Sequence, residues 1–110
     1  MNLYVYNLLD DYNDKFTIIN NVIETNKLYK FELKSPLYIS QIKKKEFNNG
    51  AYIYRTFSSL IIVLLEDNLE KAKKLFCESI SKQIDGLYER IDDLYNQILY
   101  IQDCEVNNND

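Results

Sequence analysis

Residues 60–102 read LIIVLLEDNLEKAKKLFCESISKQIDGLYERIDDLYNQILYIQ, and within them the spacing of apolar residues changes period. Leu60 to Leu65 is an unbroken apolar run without alternation, the pattern of a strand covered on both faces. After it, Asp67 and Glu70 have the spacing of a capping box. Leu69, Ala72, Phe76 and Ile80 then recur at helical intervals. From Ile80 the anchors are Ile84, Leu87, Ile91, Leu94, Ile98 and Ile101, in steps of four and three. That is a heptad seam, with Ile at the a positions and Leu or Ile at d. The Asp85-Gly86 pair is the one place where a helical hairpin would turn. The apolar register crosses it without a phase shift, and Gly86 falls at an outward c position, where it costs about 1 kcal/mol relative to Ala. One continuous helix is expected over 67–104.

Ahead of this stretch the chain reads as short strands. Leu3 to Tyr6 opens, and the polar cluster Asp10, Asp11, Asn13 and Asp14 turns the chain. Phe16 to Ile19 follows, with a continuation through Val22 and Ile23 allowed by the pattern. Leu28 to Leu33 alternates, so Tyr29, Phe31 and Leu33 share one face and Lys30 and Glu32 the other. Ser35-Pro36 interrupts it, and Leu37 to Ile42 reads as a further strand. Asn49-Gly50, after Asn48, is the strongest turn signal, because both residues accept the positive φ of a hairpin turn. Ala51 to Phe57 alternates again, setting Tyr52, Tyr54 and Thr56 opposite Ile53, Arg55 and Phe57. The expected fold class is α+β: an N-terminal antiparallel sheet of about five to six short strands over 1–65, then one long C-terminal helix. Residues 1–104 form a single domain on this reading, and 105–110 a frayed polar tail.

Composition narrows the chemistry. The 110 residues carry 46% apolar residues and ten Tyr, enough for a packed interior. There is no histidine. That excludes a Ser-His or Cys-His nucleophile, an imidazole metal ligand and the commonest pH switch. No segment has a signal-peptide pattern, and the longest apolar run is far short of the ~20 residues of a membrane helix, so a cytoplasmic protein is expected. Cys77 and Cys104, on one helix, would stand roughly 40 Å apart, beyond the ~7 Å limit between the α-carbons of a disulfide. Reduced thiols are expected, with an intermolecular bridge through Cys104 as the alternative.

A helix of about 55 Å outruns a sheet roughly 20 Å across, so its distal seam needs another partner. Homo-oligomerisation, with a dimer first, is the economical answer, through Ile80, Ile84, Leu87, Tyr88, Ile91, Leu94, Tyr95, Ile98 and Ile101. The e and g positions are Ser81, Gln83, Tyr88, Arg90, Tyr95, Gln97 and Gln102, not the Glu and Lys of an ordinary two-stranded zipper. The two tyrosines widen the apolar stripe, which suits a higher oligomer or a helix lying partly on protein as the alternatives to a dimer.

The net charge of −4 is unevenly spread. Residues 1–60 carry 8 basic and 6 acidic groups, whereas 61–110 carry 5 and 11. Asp85, Glu89, Asp92 and Asp93 fall at b, c and f positions, off the seam. They read either as a solvated face or as a ridge for a basic partner, one that takes the place of nucleic acid. Lys43, Lys44 and Lys45, with Tyr52, Tyr54 and Arg55, are the basic counterpart and a possible nucleotide or phosphate site, since lysines neutralise phosphates and rings stack on bases. The chain has no Gly-rich phosphate cradle, and its acidity argues against broad nucleic-acid binding. No cofactor, metal site or catalytic residue is expected.

The stretches Glu24-Thr25-Asn26-Lys27-Leu28-Tyr29-Lys30-Phe31-Glu32, Ile42-Lys43-Lys44 and Leu64 through Phe76 resemble, in style and order, small phage and prophage accessory proteins of AT-rich Firmicutes and relatives. The heavy use of Asn, Ile, Lys and Tyr fits an AT-rich coding sequence. The resemblance covers most of residues 15–100 and carries no invariant chemical motif. It implies an anti-defence protein of the anti-CRISPR kind, non-enzymatic, acting on an immune effector in the bacterial host cytoplasm. The alternatives are a sponge for a nucleotide immune signal, of the Thoeris or CBASS type, and a structural or assembly protein that oligomerises through its helix.

Overall fold

The computed structural model describes residues 1–33, 36–56 and 59–105. The expectations placed on Ser35, on Phe57 and on the tail beyond Glu105 lie outside the described residues. The elements are β1 (Leu3–Tyr6), β2 (Phe16–Ile19), β3 (Ile23–Glu24), β4 (Leu28–Lys30), β5 (Gln41–Lys43), a 3-10 turn (Lys44–Glu46), β6 (Ala51–Arg55), β7 (Leu60–Leu64) and α1 (Leu69–Gln102). The protein is α+β, with antiparallel strands first and one long helix last, as its apolar periods predict. The chain divides into two compact units, Met1–Phe76 and Cys77–Asp110.

In the first unit the strands are shared between two sheets. One has the order β2-β1-β7-β6, the other β3-β4-β5. All pairings are antiparallel. β7 sits inside the larger sheet, and all five of its residues are buried. The unalternating run Leu60 to Leu64 is therefore explained by cover on both faces. One face of this sheet contributes Leu3, Val5, Ile61 and Val63 to the main core, where the smaller sheet supplies Tyr29 and Ile42. The opposite face carries Tyr6, Ile62 and Leu64, also fully buried. The first turns of α1 bring Ala72 and Phe76, which are buried too.

A phenol fixes where that helix begins. The Tyr6 hydroxyl donates to Asp67 Oδ1 at 3.1 Å and accepts from the Asn68 backbone N–H at 2.9 Å. Burial pushes the Tyr6 phenol above its ordinary pKa, opposed by the Asn68 N–H, so the hydroxyl stays protonated and able to donate. Because Asp67 is occupied in this way, the capping residue is Asn68. Its Oδ1 accepts from the Lys71 N–H at 3.0 Å, three residues into the helix. The Asp67–Glu70 box read from spacing therefore does not form: the cap moves one residue on, Lys71 stands at N3, and the cap's own N–H is taken by Tyr6.

Three other boundaries differ from the sequence reading, each for a backbone reason. Asn21 has φ 57°, so the chain leaves β2 after Ile19 and Ile23 opens the other sheet. Tyr38 has φ 53°, which no strand accommodates, so the expected strand over Leu37 to Ile42 starts only at Gln41, and it runs one residue further, to Lys43. β4 ends at Lys30, so Leu33 is exposed while Tyr29 and Phe31 are buried. The Asn49-Gly50 turn forms as read, with φ 52° and 78°. The N–H of Asn48 donates to Ala51 O at 2.8 Å, and that of Ala51 to Asn48 O at 3.1 Å. It leads into β6 from the 3-10 turn, at the crossing from one sheet to the other.

The polar connection between β1 and β2 is closed by Asp10. Its carboxylate accepts from the backbone of Tyr12 and Asn13 and from the side-chain amides of Asn7 and Asn13. The Asn13 amide first, then the Tyr12 N–H, hold its pKa down to about 2.

Tyr6→Phe keeps the ring and removes both bonds at the helix start. The expected loss of stability is about 1–2 kcal/mol, read as a lower denaturation midpoint at unchanged slope. An unchanged midpoint would show that the hydroxyl does not anchor the helix.

Candidate functional site

The second unit is built almost wholly from α1. Its 34 residues run without a break, so the helix is continuous through Asp85-Gly86 and does not turn there. Nothing lies within 4 Å of where a Cβ on Gly86 would stand, as expected at an outward position. Every described residue from Ser81 to Glu105 is exposed.

That exposure is unusual for the residues involved. Ile84, Leu87, Tyr88, Ile91, Leu94, Tyr95, Ile98 and Ile101 each keep 43% or more of their surface in water, and only Ile80 is half-buried. Asp85, Glu89, Asp92 and Asp93 are exposed as well. Their heptad positions place them beside the seam rather than on it, with Asp85 and Asp92 at b, Asp93 at c and Glu89 at f.

Two further apolar residues of this unit lie off the seam. Leu99 and Tyr100 are 57% and 75% exposed. They follow Asp92 and Asp93 by one heptad, at the same b and c positions. The signal was present in the run Ile98-Leu99-Tyr100-Ile101, since four consecutive apolar residues surround a helix and cannot share one stripe. The b and c face therefore changes along its length from acidic to apolar and aromatic.

In the first unit, Lys43, Lys44 and Lys45 border a groove of about 570 Å³, whose other walls are Asn26, Lys27 and Leu28. Lys44 is already engaged. Its ammonium donates to Glu24 Oε1 at 2.7 Å and lies 5.3 Å from the centroid of the Tyr29 ring. Tyr52 and Tyr54 are not walls of this groove. They pack half-buried on the core, with the Tyr52 ring 5.8 Å from Phe47 and 6.4 Å from Tyr54. Burial, then the Glu46 carboxylate, raises the Tyr52 phenol. Arg55 points from the opposite face of β6, by the alternation of the strand. The structure thus gathers the lysines and adds Lys27 to them, and places the two tyrosines and Arg55 elsewhere.

Among the described residues no group of three or more His, Cys, Asp or Glu is placed to hold a metal ion, and no helix is long and apolar enough to cross a membrane. Cys77 and Cys104 are free and exposed. Comparisons with protein-family models, with curated proteins and with solved structures gave no match.

Replacing Gly86 by Ala tests the continuity and outward orientation of this helix together. The expected gain is about 1 kcal/mol, seen as a higher midpoint of the helical circular-dichroism signal. A lower midpoint would mean that the c position at Gly86 is closely covered.

Proposed function

We propose that this chain is a non-enzymatic binding protein of the anti-defence kind, which self-associates through α1 and inhibits a bacterial immune effector by occupying its surface. The observation that carries the reading is the set of exposed side chains on α1 beyond Ser81. An apolar seam of this length calls for a second helix, because each anchor is worth about 2 kcal/mol once removed from water. In proteins most helical stability comes from packing an amphipathic face rather than from intrinsic propensity.

The b and c face then remains available beside the seam. Asp85, Asp92 and Asp93 suit a basic partner surface, and Tyr100, with Leu99 as an apolar neighbour, supplies an aromatic anchor of the sort that dominates interface energetics. Surfaces that grip nucleic acid are basic, so an acidic ridge suits an inhibitor that competes for one. The class of partner comes from the resemblance of Glu24 to Glu32, Ile42 to Lys44 and Leu64 to Phe76 to phage accessory proteins. The missing imidazole supports a binding role over an enzymatic one. A second reading, a sponge for a nucleotide signal, is favoured only by the groove at Lys27, Lys43, Lys44 and Lys45. Calorimetry against cyclic and ADP-ribose-type nucleotides decides it, since a panel without heat removes it. An assembly protein would use the same seam and leave the b and c face unused.

The test uses purified CRISPR effector complexes and nuclease inhibition at low and at high salt. The quadruple variant Asp85→Asn, Glu89→Gln, Asp92→Asn, Asp93→Asn is expected to inhibit about tenfold less well at low salt, and to lose most of the salt dependence of the native chain. Inhibition equal to that of the native chain would remove the ridge from the mechanism. No inhibition of any effector by the native protein would overturn the anti-CRISPR reading.

A further inference from the structure

Resting on the self-association proposed above, we infer that the second copy pairs with α1 in parallel and in register, as a two-stranded coiled coil, and that the chain is therefore bivalent at one end. Two features of the helix point to this arrangement, the first to the number of strands and the second to their orientation. The first is the identity of the seam residues. The a positions are Ile84, Ile91 and Ile98, all β-branched; the d positions are Leu87 and Leu94 in the middle of the seam, with Ile80 and Ile101 at its two ends, so the two-strand signal resides in the central layers. In parallel coiled coils, β-branched residues at a with Leu at d select two strands, because the two layers present their side chains to the facing helix at different angles.

The second feature is the flanking pairs. In a parallel pair each g residue faces the e residue five positions on in the other helix. Gln83 then meets Tyr88, Arg90 meets Tyr95 and Gln97 meets Gln102 of the second copy. None of these pairs opposes like charges. Arg90 gains the face of a tyrosine ring, and the symmetry of the dimer makes that contact twice. The two glutamines at Gln97 and Gln102 match as amide donor and acceptor. An antiparallel pair faces e with e and g with g instead, which leaves Arg90 on the side without tyrosines. All the carboxylates of the ridge lie at b, c and f, so the e and g rows carry no acid to repel its counterpart in the parallel arrangement.

The consequence is functional. In-register pairing brings both copies of Leu99 and Tyr100 to the same end of the coil, on its two outer sides. A partner that is itself repeated or two-fold symmetric is then gripped at two points, with the gain that linked sites obtain from effective concentration.

The experiment is cysteine cross-linking in the full chain with Cys77→Ser and Cys104→Ser as background. Leu87→Cys and Leu94→Cys are introduced singly, with Asn96→Cys at an outer f position as the collision control. Circular dichroism and solution mass confirm that each variant folds and self-associates. Parallel in-register pairing sets each d residue against its own copy, so both d variants are expected to form disulfide dimers at least ~tenfold faster than the control. Self-association without cross-linking above the control at either d position overturns the parallel orientation and leaves the self-association reading standing. A background protein that remains monomeric, with its helix intact, overturns the self-association reading itself.

Discussion

Removing a large aliphatic side chain from water is worth about 2 kcal/mol, and an α-helix can bring such side chains into one stripe only if something covers that stripe. α1 carries the stripe for three heptads beyond Ile80, and every described residue past that point stands in solvent. Ordering a backbone costs about 1–2 kcal/mol per residue, which exposed anchors do nothing to offset. In the proposed pairing a second helix supplies that cover, and the order of the second unit would rest on it. The proposed pairing, the exposure of Leu99 and Tyr100 beside it and the acidic face all follow from where that stripe lies.

The first unit meets the same demand internally. β7 lies between two neighbouring strands, with the core of Leu3, Val5, Ile61 and Val63 on one side and Tyr6, Ile62 and Leu64 on the other. The Tyr6 hydroxyl converts that packing into a defined helix start by holding Asp67 and the Asn68 amide together. Lys71, one turn later, donates to Asn49 O at 2.6 Å and so ties the helix to the Asn49-Gly50 turn. These contacts join residues distant in the sequence, and all lie within Met1–Phe76.

The elements legible in the sequence were those whose signal is a period sustained over many residues. The unalternating β7 and the heptads of α1 belong here, and the Asn49-Gly50 turn was legible because its two residue types tolerate positive φ. What escaped was set by single backbone angles or by tertiary hydrogen bonds. Tyr38 at positive φ cannot be anticipated from a bulky aromatic, and it shortened β5. Asn68 became the cap because Tyr6, 62 residues away, drew Asp67 away from that role. The division into two sheets followed from Asn21 and from the chain crossing after Lys43, neither of which has a periodic signature. Of the candidate surfaces, the seam and the ridge were readable from heptad positions. The basic site was only half readable, because strand alternation alone does not say which lysines share a groove with which rings.

The central claim is that the stripe from Ile80 to Ile101 is covered by a second copy of the chain. Sedimentation equilibrium of the full-length protein, across the widest concentration range it tolerates, tests this most directly. The account predicts a mass twice that of the 13.1 kDa chain, falling to the single-chain value when Ile91→Asp and Leu94→Asp place charges in the seam. A native protein that stays at the single-chain mass at the highest concentration, with its helical signal intact, would contradict it.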